Sequence, residues 1–199
     1  MSQLVRVEMS KYRLKVDPDA LRYAHVDLGE SEDAAGLAIG HVSKTPAGEI
    51  VYYDILLRIV APSDTVPGDV IDFDKIIEFF RFLSQHGMRF GKITYDRFQS
   101  THSISILRKL GFPAEKLSVG YEQKRMLKAV IMSGRASFYY YEPAMTELSE
   151  EEERDGVIDH PEGGSDDVLE AMAGVAWHCG VVTTPTPTTR GRSEILLPL

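Results

Sequence analysis

Tyr23-Ala24-His25-Val26-Asp27-Leu28-Gly29, followed by Glu30-Ser31-Glu32-Asp33 and then by Ala35-Gly36-Leu37-Ala38-Ile39-Gly40-His41-Val42, decides how the chain is read. Its apolar pattern predicts a strand over 21–27 that ends on an aspartate, a tight acidic turn, and a second strand over 34–42 returning beside the first. Asp27 therefore stands at a strand exit. One such residue is equally well explained as a turn former, so its meaning depends on which other acids the fold brings to it.

The flanking sequence extends the same sheet. Residues 44–49 (Lys-Thr-Pro-Ala-Gly-Glu) have the composition of a hairpin turn, and 50–60 are rich in β-branched and aromatic residues. Three strands joined by short connections make an antiparallel meander. After a polar loop containing Pro62, Pro67 and Gly68, Asp72 is placed to cap a helix. In that helix Phe73, Ile76, Ile77, Phe80 and Leu83 share one stripe before Gly87 stops it. Residues 92–96 predict a short strand, again closing on an aspartate, and Ile104, Leu107 and Leu110 mark a helix ended by Gly111. A short strand over 116–120 and a helix over 121–133 come next, with Met126, Leu127, Val130 and Ile131 inside. Residues 138–141 are a short aromatic strand or extended segment, Pro143 opens an acidic helix, and 159–164 form a loop. Ser165 is placed to cap a last helix whose first turn carries Asp166 and Asp167. Its small residues Ala171, Ala173 and Gly174 let it lie close to a sheet. Alternating β and α after a meander predicts a mixed α/β sheet with helices on its faces.

With 199 residues, 43% of them apolar, the chain suits one domain with a sizeable core. The expected division is an amino-terminal arm or linker remnant over 1–20, the domain over 21–182, and a flexible Thr/Pro-rich tail over 183–199. No apolar run approaches the roughly 20 residues of a membrane span, and residues 1–10 have no signal-peptide pattern, so a soluble intracellular protein with no membrane partner is expected. The single Cys179 lies in an apolar helical stretch and reads as a core residue. The net charge of −8 is segregated: 142–170 hold 12 acids against one base, Arg154, whereas 89–135 hold 10 bases against 3 acids. A basic central third beside an acidic carboxy-terminal third suits a polyanion on one surface and cations at another, although solvated helix faces give the same pattern.

Asp27 ending the first strand, Asp96 ending a central strand and Asp167 opening the last helix converge if the two strands are neighbours and the helix packs over them. Oxygen ligands without a cysteine or histidine cluster suit Mg²⁺ or Mn²⁺. Unpaired, such carboxylates raise one another's pKa, and a bound cation relieves this. Two ions about 4 Å apart activate a water and stabilise the leaving oxygen of a phosphodiester. Taken singly, each aspartate is a turn or cap residue, and Asp166 and Asp167 suit a helix first turn on dipole grounds alone.

The order strand-Asp, meander, helix, strand-Asp, terminal helix-Asp is that of the ribonuclease H-like fold. Tyr95-Asp96-Arg97-Phe98-Gln99-Ser100, the segment Asp33-Ala34-Ala35-Gly36-Leu37-Ala38-Ile39-Gly40-His41, and Asp159-His160-Pro161-Glu162-Gly163-Gly164-Ser165-Asp166-Asp167-Val168 with Ala171, Ala173 and Gly174 together carry a closer likeness. Over about 22–180 the chain resembles the nuclease domain of viral large terminase subunits. The resemblance implies a Mg²⁺- or Mn²⁺-dependent endonuclease that cuts concatemeric double-stranded viral DNA during packaging, in the host cytoplasm. It implies as partners an ATPase domain or subunit, a portal and a small terminase subunit. By position, Asp27, Asp96 and Asp167 match the catalytic, metal-binding triad, Asp166 an adjacent ligand, and Asp33 an auxiliary acid reaching the site through water. Two positions depart from the pattern: Asp166 stands where a lysine is frequent, and Glu170, a further auxiliary acid, where an aspartate is common. No Gly-x-x-x-x-Gly-Lys-Ser/Thr occurs, so this chain is an excised domain or a separately encoded nuclease, not itself an ATPase. Arg97, Lys124, Arg125 and Lys128 are the expected DNA contacts, holding phosphates without reading bases. His25, His41 and His160 are general-base candidates that the metal mechanism does not require. A junction-resolving nuclease of the same fold and a non-catalytic assembly module of the packaging motor are the alternatives.

Overall fold

Side chains on a strand alternate between faces, and in the first strand this alternation sorts core from site. The computed structural model describes residues 17, 19–28, 34–46, 48–60, 71–96, 100–154, 157–159 and 165–180. Strand β1 (Leu21–Leu28) turns Ala24 and Val26 into one apolar cluster, which sends His25 and Asp27 to the opposite face. β2 (Ala34–Thr45) pairs antiparallel with β1, and β3 (Gly48–Val60) with β2, so the expected meander is present. The acidic connection 29–33, with Asp33, lies outside the described residues.

Helix α1 (Phe73–Gln85) starts where the side chain of Asp72 accepts a hydrogen bond from the Asp74 N–H. It buries Ile76, Ile77, Phe80 and Leu83, the stripe read from the sequence. Strand β4 (Arg89–Tyr95) then enters the sheet parallel to β1, on the side away from β2. Helix α2 (Ser100–Lys109) leads to β5 (Ala114–Lys116), parallel to β4. Helix α3 (Tyr121–Met132), the two-residue β6 (Ala136–Ser137), helix α4 (Glu142–Glu150), the hairpin β7 (Glu152–Arg154) and β8 (Val157–Asp159), and helix α5 (Asp167–Cys179) complete the described elements. The sheet order is β5-β4-β1-β2-β3-β6. It is a mixed sheet with helices on both faces: α1 and α2 cover one, and α3, α4 and α5 the other. No helix among the described residues is long and apolar enough to cross a membrane.

Several local expectations shift. The strand expected over 116–120 is β5, earlier and shorter, because its pairing partner β4 ends at Tyr95, opposite Lys116. The segment 138–141 carries no strand; pairing with β3 involves only Ala136 and Ser137. Past that point the hydroxyls of Tyr139 and Tyr141 accept hydrogen bonds from the N–H groups of Leu56 and Arg58, satisfying β3 with side chains instead. Leu110 falls outside α2 and is 43% exposed. The hairpin β7–β8 interrupts what composition presents as an acidic helix and loop. Ser165 is not the cap of α5; that position belongs to Asp166.

Candidate metal centre

Because β1 and β4 are parallel, their carboxy-terminal ends lie at the same edge of the sheet. Asp27 is the penultimate residue of β1, and Asp96 follows β4 directly, its N–H donating to the Val26 carbonyl at 3.1 Å. Parity does the rest. Ile93 and Tyr95 join the α1–α2 core, so Thr94 and Asp96 face the α5 side, as His25 and Asp27 do. The ring of His25 is fixed there by a 2.8 Å hydrogen bond between Nδ1 and the Thr94 hydroxyl, which itself donates to the Ala24 carbonyl. Burial, then the neighbouring His178, lowers the His25 pKa to about 3, so it is a neutral packing residue. His41 is engaged by Asp54 at 2.9 Å, and His160 lies outside the described residues.

Helix α5 can come this close only because glycines meet it. A Cβ on Gly36, the residue opposite Asp27 in the β1–β2 register, would lie 1.8 Å from the Asp167 carbonyl oxygen. A Cβ on Gly174 would lie 2.3 Å from Cγ of His25. The first turn of α5 is thereby seated directly over the end of β1, bringing Asp166, Asp167 and Glu170 beside Asp27 and Asp96.

The electrostatics record this convergence. Asp27 is 5% exposed. Burial first, then the charges of Glu170, Asp167, Asp96 and Asp166, push its carboxyl up to about 9. Glu170 is raised to about 7 by burial, partly offset by Lys124. Among the described residues Asp96 Oδ1 is buried without a hydrogen-bond partner. Asp167 Oδ2 accepts from the Ser165 hydroxyl at 2.8 Å and lies 3.8 Å from Nε of Arg58, on β3. Oxygen-only donors, an orphaned carboxylate oxygen and a proton held far above the ordinary aspartate value are what a hard divalent cation relieves. Among the described residues no group of three or more His, Cys, Asp or Glu side chains is already spaced to hold an ion.

Two charged residues that the sequence left in the wrong place complete the site. Lys124, expected on an outward basic face, is buried: its Nζ donates to Asp166 Oδ2 at 2.5 Å and to Glu170 Oε1 at 2.9 Å. Its position on the stripe of Leu127 and Val130 was the available signal, since that stripe faces α5. Arg125 is exposed and pairs with Glu122, and Lys128 is exposed. Arg97 lies outside the described residues. Glu147, one of the 12 acids over 142–170, is 5% exposed and accepts from the Leu169 N–H at 2.8 Å. It answers one of the orphan donors at the start of α5 from across the interface.

Burial raises Glu147 to about 7, the Leu169 N–H opposing and the charges of Asp167 and Asp166 adding to the rise. A carboxyl whose folded pKa exceeds its unfolded value contributes most stability at low pH and loses it as pH climbs from about 4.5 through 7. Glu147→Gln removes that loss. In urea unfolding with EDTA, the variant is expected to gain about 1–2 kcal/mol on wild type between pH 5 and pH 8. A pH-independent difference would refute the strained-carboxylate assignment.

No protein-family model matches the chain, and no curated protein matches it by sequence. Among solved structures it is similar to the large terminase of bacteriophage HK97, with TM-score 0.60 and 13% identity over 81% of this chain and 40% of that one. It is similar also to the large terminase nuclease of the thermophilic phage G20c (TM-score 0.58, 14% identity, 84% of both chains). The nuclease domain of the SPP1 large terminase, solved with bound Mn, gives TM-score 0.52 and 14% identity over 79% of this chain and 86% of that one. The fold is ribonuclease H-like. More narrowly, it is the fold of phage large-terminase nuclease domains, whose length the chain nearly spans, against about two fifths of the HK97 protein.

Proposed function

We propose that the chain is a divalent-metal-dependent endonuclease that cuts double-stranded DNA in the packaging of a phage genome. The observation that carries this reading is the meeting of Asp27, Asp96 and Asp167 at one edge of a sheet with the terminase-nuclease fold. Bound Mn in the SPP1 nuclease domain supports a divalent cofactor, Mg²⁺ or Mn²⁺. When bound, such an ion supplies Lewis acidity at the scissile phosphate and a water of lowered pKa. Asp27 and Asp96 hold it from the strand ends and Asp167 from α5. Ser165 orients Asp167 through its hydroxyl, and the partly exposed guanidinium of Arg58 is placed to meet a phosphate oxygen. The two ions expected from the sequence require a second cation position, which Asp166 and Glu170 supply.

Arg125 and Lys128 on the exposed side of α3, with Arg97 and the auxiliary acid Asp33, are the remaining DNA- and site-directed assignments. An ATPase domain or subunit, portal and small terminase subunit are the partners this role entails, in the cytoplasm of the host. The test is incubation with Mn²⁺ on linear, supercoiled and branched DNA. Cutting of linear duplex that EDTA abolishes and Asp96→Asn reduces by about 10²-fold or more is expected. Strict preference for branched junctions, or cutting that survives Asp96→Asn, would overturn the proposal.

A further inference from the structure

The five carboxylates at the carboxy-terminal edge of β1 and β4 do not share one environment. Among the described residues no ammonium pairs with Asp27, Asp96 or Asp167; Asp167 is met by the Ser165 hydroxyl and a guanidinium at 3.8 Å. Asp166 and Glu170, four residues apart and therefore on one side of α5, are already bridged by Lys124. Lys124 is 6% exposed, and its neighbours along α3 at Leu127 and Val130 are packed into the core, so the ammonium is anchored by a buried helix face. A lysine ammonium is a compact point charge with three donors. Held between two carboxylates, it does for that half of the cluster what a metal ion does for the other half.

Resting on the metal-nuclease reading, we propose that Lys124 is a built-in cation occupying the second of the two cation positions. The folded chain then takes up one divalent ion, at Asp27, Asp96 and Asp167, and a second enters between Asp166 and Glu170 only when Lys124 is displaced. The arrangement has a chain-specific logic. Asp166, immediately before Asp167, meets a positive charge brought from α3, 42 residues away in sequence. Lys124 is thus a positioning residue: it touches no reacting atom, and it sets how many ions the acids hold.

Counting bound Mn²⁺ in the whole chain at pH 7.5, by calorimetric titration and by loss of the free-ion paramagnetic resonance signal, tests this without any cutting reaction. Wild type is expected to bind one ion per chain in the micromolar range, and Lys124→Met to bind two. Circular dichroism checks that the variant is folded. If Lys124→Met folds poorly, Lys124→Gln, which keeps a neutral donor toward both acids, is expected to bind two as well. Two ions in wild type, or one in a folded neutral variant, would overturn the assignment of Lys124 and leave the metal-nuclease reading standing. No ion in wild type would overturn both. Asp96→Asn in wild type is expected to weaken the single ion at least tenfold; an unchanged affinity would put that ion at Asp166 and Glu170 and likewise overturn the proposal.

Discussion

Asp27→Asn is expected to lower DNA cutting by about 10³-fold or more while raising the melting temperature of the metal-free protein. The two effects have one cause. Asp27 is nearly enclosed, and burial with four acidic neighbours holds its carboxyl at about 9 rather than near the ordinary aspartate value. Its folded pKa lies above its unfolded one, so the stability it contributes is full below about pH 4 and is lost as pH rises from there to 9. At pH 7.5 without metal the chain therefore bears a cost that an isosteric amide does not. Even discounted for relaxation of the cluster, about 1–3 kcal/mol is expected to return, or roughly 3–10 °C for a chain this size. Mn²⁺ is expected to reverse the comparison, stabilising wild type by binding only the folded state and doing little for the amide variant. Melting curves with EDTA and with Mn²⁺ read both arms. A variant that is less stable than wild type in EDTA would show that Asp27 is held by compensating contacts and is not a strained ligand.

Gly36→Ala carries the second large effect, and its origin is steric rather than electrostatic. The added methyl would fall 1.8 Å from the Asp167 carbonyl oxygen and 2.8 Å from the Val168 nitrogen, both backbone atoms in the first turn of α5. A flexible side chain could give way, but a helix start cannot without moving Asp166, Asp167 and Glu170 together. The expected cost is about 3 kcal/mol of stability and, because a ligand displaced by about 1 Å loses its geometry, about 10²-fold in cutting. Gly134→Ala is the control. Gly134 sits at φ 69° with nothing near its missing Cβ, so alanine there costs about 1 kcal/mol of backbone strain and leaves cutting intact. Urea unfolding and a cleavage assay on the same two variants separate them. Equal cutting by both would show that α5 does not need Gly36 to reach the site.

Local pattern was sufficient wherever one element decides its own fate. The stripe of Ile76, Ile77, Phe80 and Leu83 is a helix buried on one side whatever it meets, and the β-branched run of β3 is a strand in any sheet. Short segments without a stripe of their own were misplaced. β5 and β6 exist only as far as β4 and β3 offer pairing partners, and the small β7–β8 hairpin overrides an acidic run. The site divides in the same way. Asp27 and Asp96 were visible because each ends an apolar strand, but the register that sets them side by side belongs to the sheet.

The sequence by itself determined the order of the longer elements, the mixed sheet, the approach of a small-residue helix, and the oxygen-only character of the cluster, because periodicity and residue chemistry are local properties. Only the tertiary structure decided that Lys124 and Glu147 turn inward. Sharing a stripe with Leu127 and Val130 hints that Lys124 is buried, but what partners a buried charge is set by the opposing face, and for both residues that face is α5, which supplies the carboxylates for one and the orphan N–H for the other.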